Sequence, residues 1–317
     1  VVILEIRKFI SEHYRHFNAG ELARCAESLR DFLENKGRLI VTLAGAMSTA
    51  EIGRSLAPAI RSQRVHAICC SGANLEEDLF SLIARADYEK IENWRELSAD
   101  EDAALAKRGL NRVTDVAIPE SAITLVGERL MVLWEEAELV GDSRFPHEYI
   151  YDLLLHGELE FSSEPENSWL MAAADANLPI FTPGWEDSTL GNLLAARVLD
   201  CSLKSNRVVR GGLDAMQGLA DWYREDDSPT GILQVGGGIA GDFAISVVPM
   251  LRQDVGMEVP LWSWFAQISE SRPSYGGYSG APPNEKVSWG KLDPKTPSFV
   301  IESDASIVLP LLLLALE

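Results

Sequence analysis

Cysteine is scarce in this chain of 317 residues. The four present, Cys25, Cys69, Cys70 and Cys201, show no C-x-x-C spacing, so neither a disulfide framework nor a zinc knuckle is indicated. Cys69 and Cys70 fall inside an apolar run and read as small buried residues of a reducing compartment. Five scattered histidines, His13, His16, His66, His147 and His156, offer no H-E-x-x-H or similar ligand spacing, so no metal site is expected and any cofactor is organic. Long hydrophobic runs are missing too. The most apolar stretch, residues 305–316, is broken by Pro310, falls short of the roughly 20 residues a membrane span needs, and is expected as a buried helix. Residues 1–7 lack a basic stretch followed by an apolar core and a small-residue cleavage site, so the expected location is the cytoplasm, off the membrane. Positive charge is in deficit, with 28 Lys and Arg against 48 Asp and Glu for a formal net charge of −20. Such a field repels phosphate backbones, argues against nucleic-acid binding, and favours cationic partners such as small polyamines. An acidic surface that merely keeps a protein soluble gives the same count.

What is present is ample apolar material, 46% of the residues, enough for a substantial core. Apolar runs at residues 39–44, 65–70, 113–118, 178–181, 232–235, 259–265 and 299–302 alternate with helix-like segments at 48–60, 75–86, 120–136, 189–199, 211–223 and 244–253. There is no internal repeat and no low-complexity linker. The alternation predicts an α/β fold, one large domain built on a mostly parallel sheet with helices on both faces. Ligands of such sheets bind beyond the carboxyl ends of the strands. Turns expected at that end are Ala44-Gly45-Ala46, Ser71-Gly72-Ala73-Asn74, Thr182-Pro183-Gly184 and Gly236-Gly237-Gly238, candidates for one shared cofactor crevice.

Two stretches carry chemistry. Gly236-Gly237-Gly238-Ile239-Ala240-Gly241 follows a strand-like run and precedes a helix-like one, fitting G-x-G-x-x-G in its required context. Glycines there let backbone N–H groups approach a pyrophosphate. Glu258, 17 residues after Gly241, is the candidate for a ribose hydroxyl. A triple glycine also serves as a plain strand-to-helix turn, and this one comes late in the chain. The second stretch is a proline-rich loop from Ser279 that ends in Val287-Ser288-Trp289-Gly290-Lys291. Gly290 permits a tight turn, Trp289 offers an apolar wall or cation–π face, and a lysine desolvated against it becomes a nucleophile towards carbon–nitrogen double bonds. Glu285 supplies a carboxylate for a cationic amine.

The stretch Glu285-Lys286-Val287-Ser288-Trp289-Gly290-Lys291, followed thirteen residues later by Asp304-Ala305-Ser306-Ile307-Val308-Leu309-Pro310-Leu311, closely resembles the C-terminal signature of deoxyhypusine synthases. Further segments match in order: Ser71 through Leu79, Gly109-Leu110-Asn111-Arg112-Val113, Pro183 through Gly191, and the Gly236 triplet. Together they touch most of the chain from about Leu39 onward, while residues 1–37, expected as an N-terminal helical segment, match weakly. The resemblance implies a Rossmann-like single domain spanning residues 1–317, a homotetramer, and NAD bound near a subunit interface. It implies that Ser71, Glu76, Glu77, Asp187, Thr189, Gly236, Gly237, Gly238, Asp304 and Ala305 line the dinucleotide. Lys291 would be the covalent lysine, Trp289 the wall of an amine tunnel and Glu285 an amine-binding carboxylate. The reaction implied is NAD-dependent transfer of an aminobutyl group from a polyamine through a lysine imine.

Three positions depart from the pattern. Asn192 stands where an aspartate is expected, Asp242 where a histidine is expected provided the helix start has no insertion, and Tyr278 where an aspartate is expected in the loop before the lysine motif. Removing two carboxylates changes where positive charge can be held, and an unmatched ammonium in a narrow tunnel costs several kcal/mol. The expectation is therefore transfer between small amines, as in homospermidine-type synthesis from spermidine, putrescine or agmatine. The alternative is a true deoxyhypusine synthase acting on a lysine of a translation-factor precursor. A catalytically inactive polyamine- or NAD-binding protein is disfavoured because Lys291, Trp289 and Glu285 are all present.

Overall fold

Residues 38–43 and 230–235 are buried at every position, the mark of central strands covered on both faces. The computed structural model describes residues 2–316, with side chains from residue 5 onward. Helices α1 (Val2–His13) and α2 (Phe17–Glu34) precede β1 (Arg38–Leu43). There follow α3 (Gly53–Arg61), β2 (Ala67–Cys70), α4 (Gly72–Ala84), β3 (Glu89–Lys90), α5 (Ala99–Lys107), β4 (Leu110–Val113), β5 (Val116–Pro119), α6 (Glu120–Val140), α7 (Pro146–His156) and α8 (Trp169–Asp175). The chain continues through β6 (Ile180–Phe181), α9 (Thr189–Leu199), α10 (Gly212–Arg224), β7 (Thr230–Val235), α11 (Gly238–Ile245), α12 (Val247–Pro249), β8 (Trp264–Ile268), α13 (Pro283–Ser288), β9 (Ser298–Ile301) and α14 (Ala305–Leu314).

The main sheet has the order β6-β2-β1-β7-β8-β9, and every pair in it is parallel. Counted within the sheet, the strands run 3-2-1-4-5-6, the doubly wound Rossmann-like arrangement, in which the direction of winding reverses between β1 and β7. Alternation along β1 sorts the two faces. Leu39, Val41 and Leu43 enter a core shared with α2, α3, α4 and α14, whereas Ile40 enters one shared with α10, α11 and α12. Cys70 and Cys69 follow the same alternation onto opposite faces. Burial holds both thiols protonated, Cys70 at about 12.

Residues 305–316 give a buried apolar helix, α14, that accommodates Pro310 and packs on α2 and α3. No helix of the described residues is long and apolar enough to cross a membrane. The weakly matching N-terminal segment forms α1 and α2, and α2 covers β8 and β9. Trp264 is central to that packing, with Phe32 on one side, Phe299 on the other and its Nε1 donating to Ser28 Oγ at 3.1 Å.

Three expected elements are corrected. The run 113–118 is not a strand of the main sheet: Thr114 turns with φ +55°, Val113 pairs with Val116, and β3, β5 and β4 make a separate antiparallel sheet. The polar pair Thr114-Asp115 sets that hairpin. The strand expected at 259–265 begins at Trp264, since Pro260 has no N–H to give a ladder. The helix expected over 244–253 begins earlier, at Gly238, and ends in a wide π turn at Met250–Asp254.

Candidate functional site

The turns that follow β1, β2, β6 and β7 gather at the carboxyl end of the main sheet, around the reversal between β1 and β7. Gly236 sits at φ +78°, and a Cβ added there would come 3.0 Å from Ala44 Cβ, so the β1 and β7 turns touch. Gly45 and Gly238, at φ +63° and +56°, have no atom within 4 Å where a side chain would point. That leaves an open backbone-lined cradle at the start of α11. Asn74 organises its far side: Nδ2 donates to Gly45 O at 2.6 Å and Leu43 O at 3.2 Å, and Oδ1 accepts from Ser48 N at 3.0 Å. Ser71 caps α4 through Asn74 N and donates to Gly45 O.

The acidic pair after Ser71 divides its labour. Both Glu76 oxygens are taken by backbone amides at the start of α9, Thr189 N at 2.9 Å and Leu190 N at 2.8 Å. Glu77 has one buried oxygen without a hydrogen-bond partner. Burial pushes its carboxyl up to about 7, with Thr49 pulling back. Asp187 and Thr189 are exposed beside this helix start, Asp187 N donating to Gly184 O. Asp304 follows β9 and caps α14, its Oδ1 accepting from Ser306 N at 2.7 Å, with Ala305 partly exposed next to it. Glu258 does not join this group. It is exposed and lies six residues before β8 begins, at the opposite end of the sheet from the glycine turn, so it is corrected as a ribose ligand.

A loop of residues 272–282 lies over the triple glycine. A Cβ on Gly237 would fall 2.1 Å from Ser279 Oγ. Two buried glutamines from the sheet hold this loop: Gln267 Nε2 donates to Ser279 O at 2.6 Å, and Gln234 Nε2 donates to the Tyr278 hydroxyl and to Gly241 O at 3.0 Å. Neither glutamine is prominent in the sequence. Their only signal is an amide inside an otherwise apolar strand, which burial obliges to find partners.

From that loop the chain enters α13, and Gly290, at φ +68°, turns it so that Lys291 points inward. Lys291 is 7% exposed. Its Nζ donates to Asp242 Oδ1 at 3.0 Å and stands 5.2 Å from the Tyr278 ring centre and 6.0 Å from that of Trp289. Helix α11 runs without interruption from Gly238 through Asp242, so the carboxylate lies one turn beyond the glycine triplet. The fold thus brings Lys291, Asp242, Tyr278 and Trp289 together. Glu285 is exposed on α13, and Trp289 is 64% exposed although it flanks a buried lysine. Asn192 is elsewhere, lining a groove between α6 and α9 with its amide tied to Glu186 O and Ser188 O.

Sequence reasoning missed Lys286. It is 2% exposed, its Nζ donates to Ala281 O at 2.7 Å, and the rings of Phe265 and Tyr278 lie 5.1 and 4.9 Å away. Burial, and then the charge of Lys291, lowers its pKa to about 8.

The family model described as deoxyhypusine synthase matches residues 10–316. The chain is 29% identical, over 97% of its length and 78% of the relative's, to the deoxyhypusine synthase-like protein of Nostoc punctiforme. It is 28% identical, over 95% of its length and 83% of the relative's, to a Methanosarcina acetivorans protein named "Probable deoxyhypusine synthase 2". Among solved structures, one from Entamoeba histolytica assigned as a deoxyhypusine synthase superposes with a TM-score of 0.58 at 12% identity, over 97% of this chain and 90% of that one. At that identity the likeness is one of fold.

Proposed function

Because the chain belongs to the deoxyhypusine synthase family, we propose that it is an NAD-dependent transferase that moves an aminobutyl or closely related group from an amine donor to an amine acceptor, with Lys291 as the covalent carrier. The observation that carries the proposal is the setting of Lys291: buried, held by one carboxylate and flanked by two aromatic rings. The open cradle at Gly45 and Gly238, at the switch point of a doubly wound sheet, fits a dinucleotide pyrophosphate. In this reading Ser71, Glu77, Asp187, Thr189, Gly236, Gly237, Gly238, Asp304 and Ala305 hold the NAD, and Glu76 acts by fixing the Thr189 turn. When bound, NAD supplies a hydride acceptor for the donor carbon and later returns the hydride to the product.

The chain's own residues do the rest. Lys291 attacks only as the neutral amine, and Asp242 is placed to take the proton from Nζ. The lysine nitrogen bonds to the imine carbon of the donor, the donor's own nitrogen leaves as a free amine, and Asp242 returns a proton to the departing group. An acceptor amine then displaces Lys291 in the same manner. Trp289 and Tyr278 keep water from the imine and offer ring faces to ammonium ends. Because Trp289 and Glu285 are exposed beside a buried nucleophile, the reading includes a second copy of the chain covering this side, as in the expected homotetramer.

The names carried by the relatives favour a protein lysine as acceptor, so a deoxyhypusine synthase acting on a translation-factor precursor takes precedence over homospermidine-type synthesis. The small-amine reading stands second, favoured by the Tyr278 ring and the committed amide of Asn192 where the family pattern would offer carboxylates. The test is incubation with NAD and, separately, spermidine, putrescine and agmatine, followed by borohydride trapping and mass spectrometry of the Lys291 peptide. An adduct that Lys291→Ala abolishes while NAD binding persists supports the proposal; the absence of any adduct in NAD-binding protein refutes it. Chasing the adduct with small amines or with a precursor protein separates the two acceptors.

A further inference from the structure

A lysine is almost never fully buried unless a carboxylate accompanies it, yet Lys286 is buried with no ion pair of its own among the described residues. Its surroundings are a backbone carbonyl, Ala281 O at 2.7 Å, and two ring faces, Phe265 at 5.1 Å and Tyr278 at 4.9 Å. A carbonyl with aromatic faces is the chemistry by which proteins receive an alkylammonium ligand. The box is part of the reacting site, since the same Tyr278 ring lies 5.2 Å from Lys291 Nζ. Its other charged neighbours are Asp242, paired with Lys291, and Glu285, which is exposed.

We propose that Lys286 is a resident ammonium that fills a cation subsite beside Lys291 and thereby limits the length of the amine donor. Resting on the transferase reading, the inference adds a determinant of donor choice. A donor cannot seat a second ammonium where the protein's own lysine already sits, and a like charge there repels it. Diamine-length donors such as putrescine and agmatine are therefore preferred over the triamine spermidine. Nothing in the sequence distinguishes this lysine from a surface one; its burial against Phe265 and Tyr278 does.

The experiment compares wild type, Lys286→Ala and Lys286→Met by borohydride trapping at Lys291 with putrescine and with spermidine. The alanine variant vacates the box, and the methionine variant refills it without charge. The expected result is a spermidine-to-putrescine ratio at least tenfold higher in Lys286→Ala than in wild type, little changed in Lys286→Met, and brought back down by added propylammonium. Equal ratios in all three proteins, or the same rise in both variants, overturn the inference. Propylammonium binding to the folded proteins, read by calorimetry, is independent of turnover: binding to Lys286→Ala alone supports the subsite, and absence of binding overturns it. Absence of any wild-type adduct counts against the transferase reading while the binding arm still decides the subsite. If Lys286→Ala does not fold, a Lys286→Gly variant refolded with propylammonium takes its place, and failure of the amine to restore folding overturns the inference.

Discussion

Replacing Gly237 by Ala tests whether the triple glycine is shaped by a ligand or by the chain itself. At this position the backbone has negative φ, so the cost comes from contact: the new Cβ would lie 2.1 Å from Ser279 Oγ, 2.4 Å from its Cβ and 2.8 Å from its Cα. Ser279 must retreat, and with it the Gln267-to-Ser279 carbonyl bond and the Gln234-to-Tyr278 bond are stretched. Overpacking of this kind costs about 1–3 kcal/mol, equivalent to a fall in Tm of roughly 1.5 to 4.5 °C for a chain of this size. Tyr278 moves with the loop, so trapping at Lys291 should fall as well. The decisive variant is Gly237→Ala combined with Ser279→Gly, which removes the nearest two atoms of the clash. If loop packing is the reason for the glycine, the pair recovers most of the lost stability and trapping. If close approach of a pyrophosphate is the reason, the pair recovers stability but keeps a weakened NAD affinity, measured by calorimetry. A Gly237→Ala protein with unchanged melting and unchanged trapping would refute both.

Further outcomes follow from other side chains. Asp242→Asn removes the base 3.0 Å from Lys291 Nζ, so the trapping rate at pH 7 should fall by roughly 10²–10⁴, measured by quenched-flow borohydride reduction; a rate within threefold of wild type would remove Asp242 from the proton path. Glu77 has its carboxyl raised to about 7 by burial, so the folded state holds a proton that the unfolded chain releases near the ordinary carboxylate value. Stability attached to this group is present below that value and lost as pH rises towards 7. Urea midpoints should decline across that window in wild type and decline less in Glu77→Gln; identical slopes would contradict the assignment. Of the four cysteines, Cys201 is exposed and Cys25, Cys69 and Cys70 are buried, so a thiol reagent should modify one thiol per native chain and four after denaturation.

Much of the architecture can be read from the residues because the central strands are apolar at nearly every position and the helices between them are amphipathic. The expected bounds of α9 agree with the structure, and β1 and β7 are displaced by no more than two residues. What fails does so for local reasons. A two-residue turn at Thr114 splits one apolar run into a hairpin, and Pro260 delays β8. The N-terminal helix α2 did carry a signal, with Leu22, Cys25, Ala26, Leu29 and Leu33 buried at helical spacing, but matched no motif. In the site, Lys291 and Asp242, both singled out in the sequence, come within 3.0 Å of each other. Lys286 and the two glutamines are invisible because their meaning lies in packing between segments far apart in sequence. Glu258 illustrates the converse: correct spacing from the glycines placed it on a connection instead of at the end of a strand.

The pairing of β1 with β7 joins Arg38 to Thr230, and that separation governs how the molecule is made. During synthesis at about 5–20 residues per second, β1 waits roughly 10 to 40 s for the strand that completes its second side. A largely apolar strand edge left open that long invites pairing with another chain. Contacts of such sequence separation also slow folding. The crevice at the β1–β7 boundary is therefore among the last parts of the nascent chain to close, and aggregation during expression should depend on how β1 is sheltered before Thr230 is made.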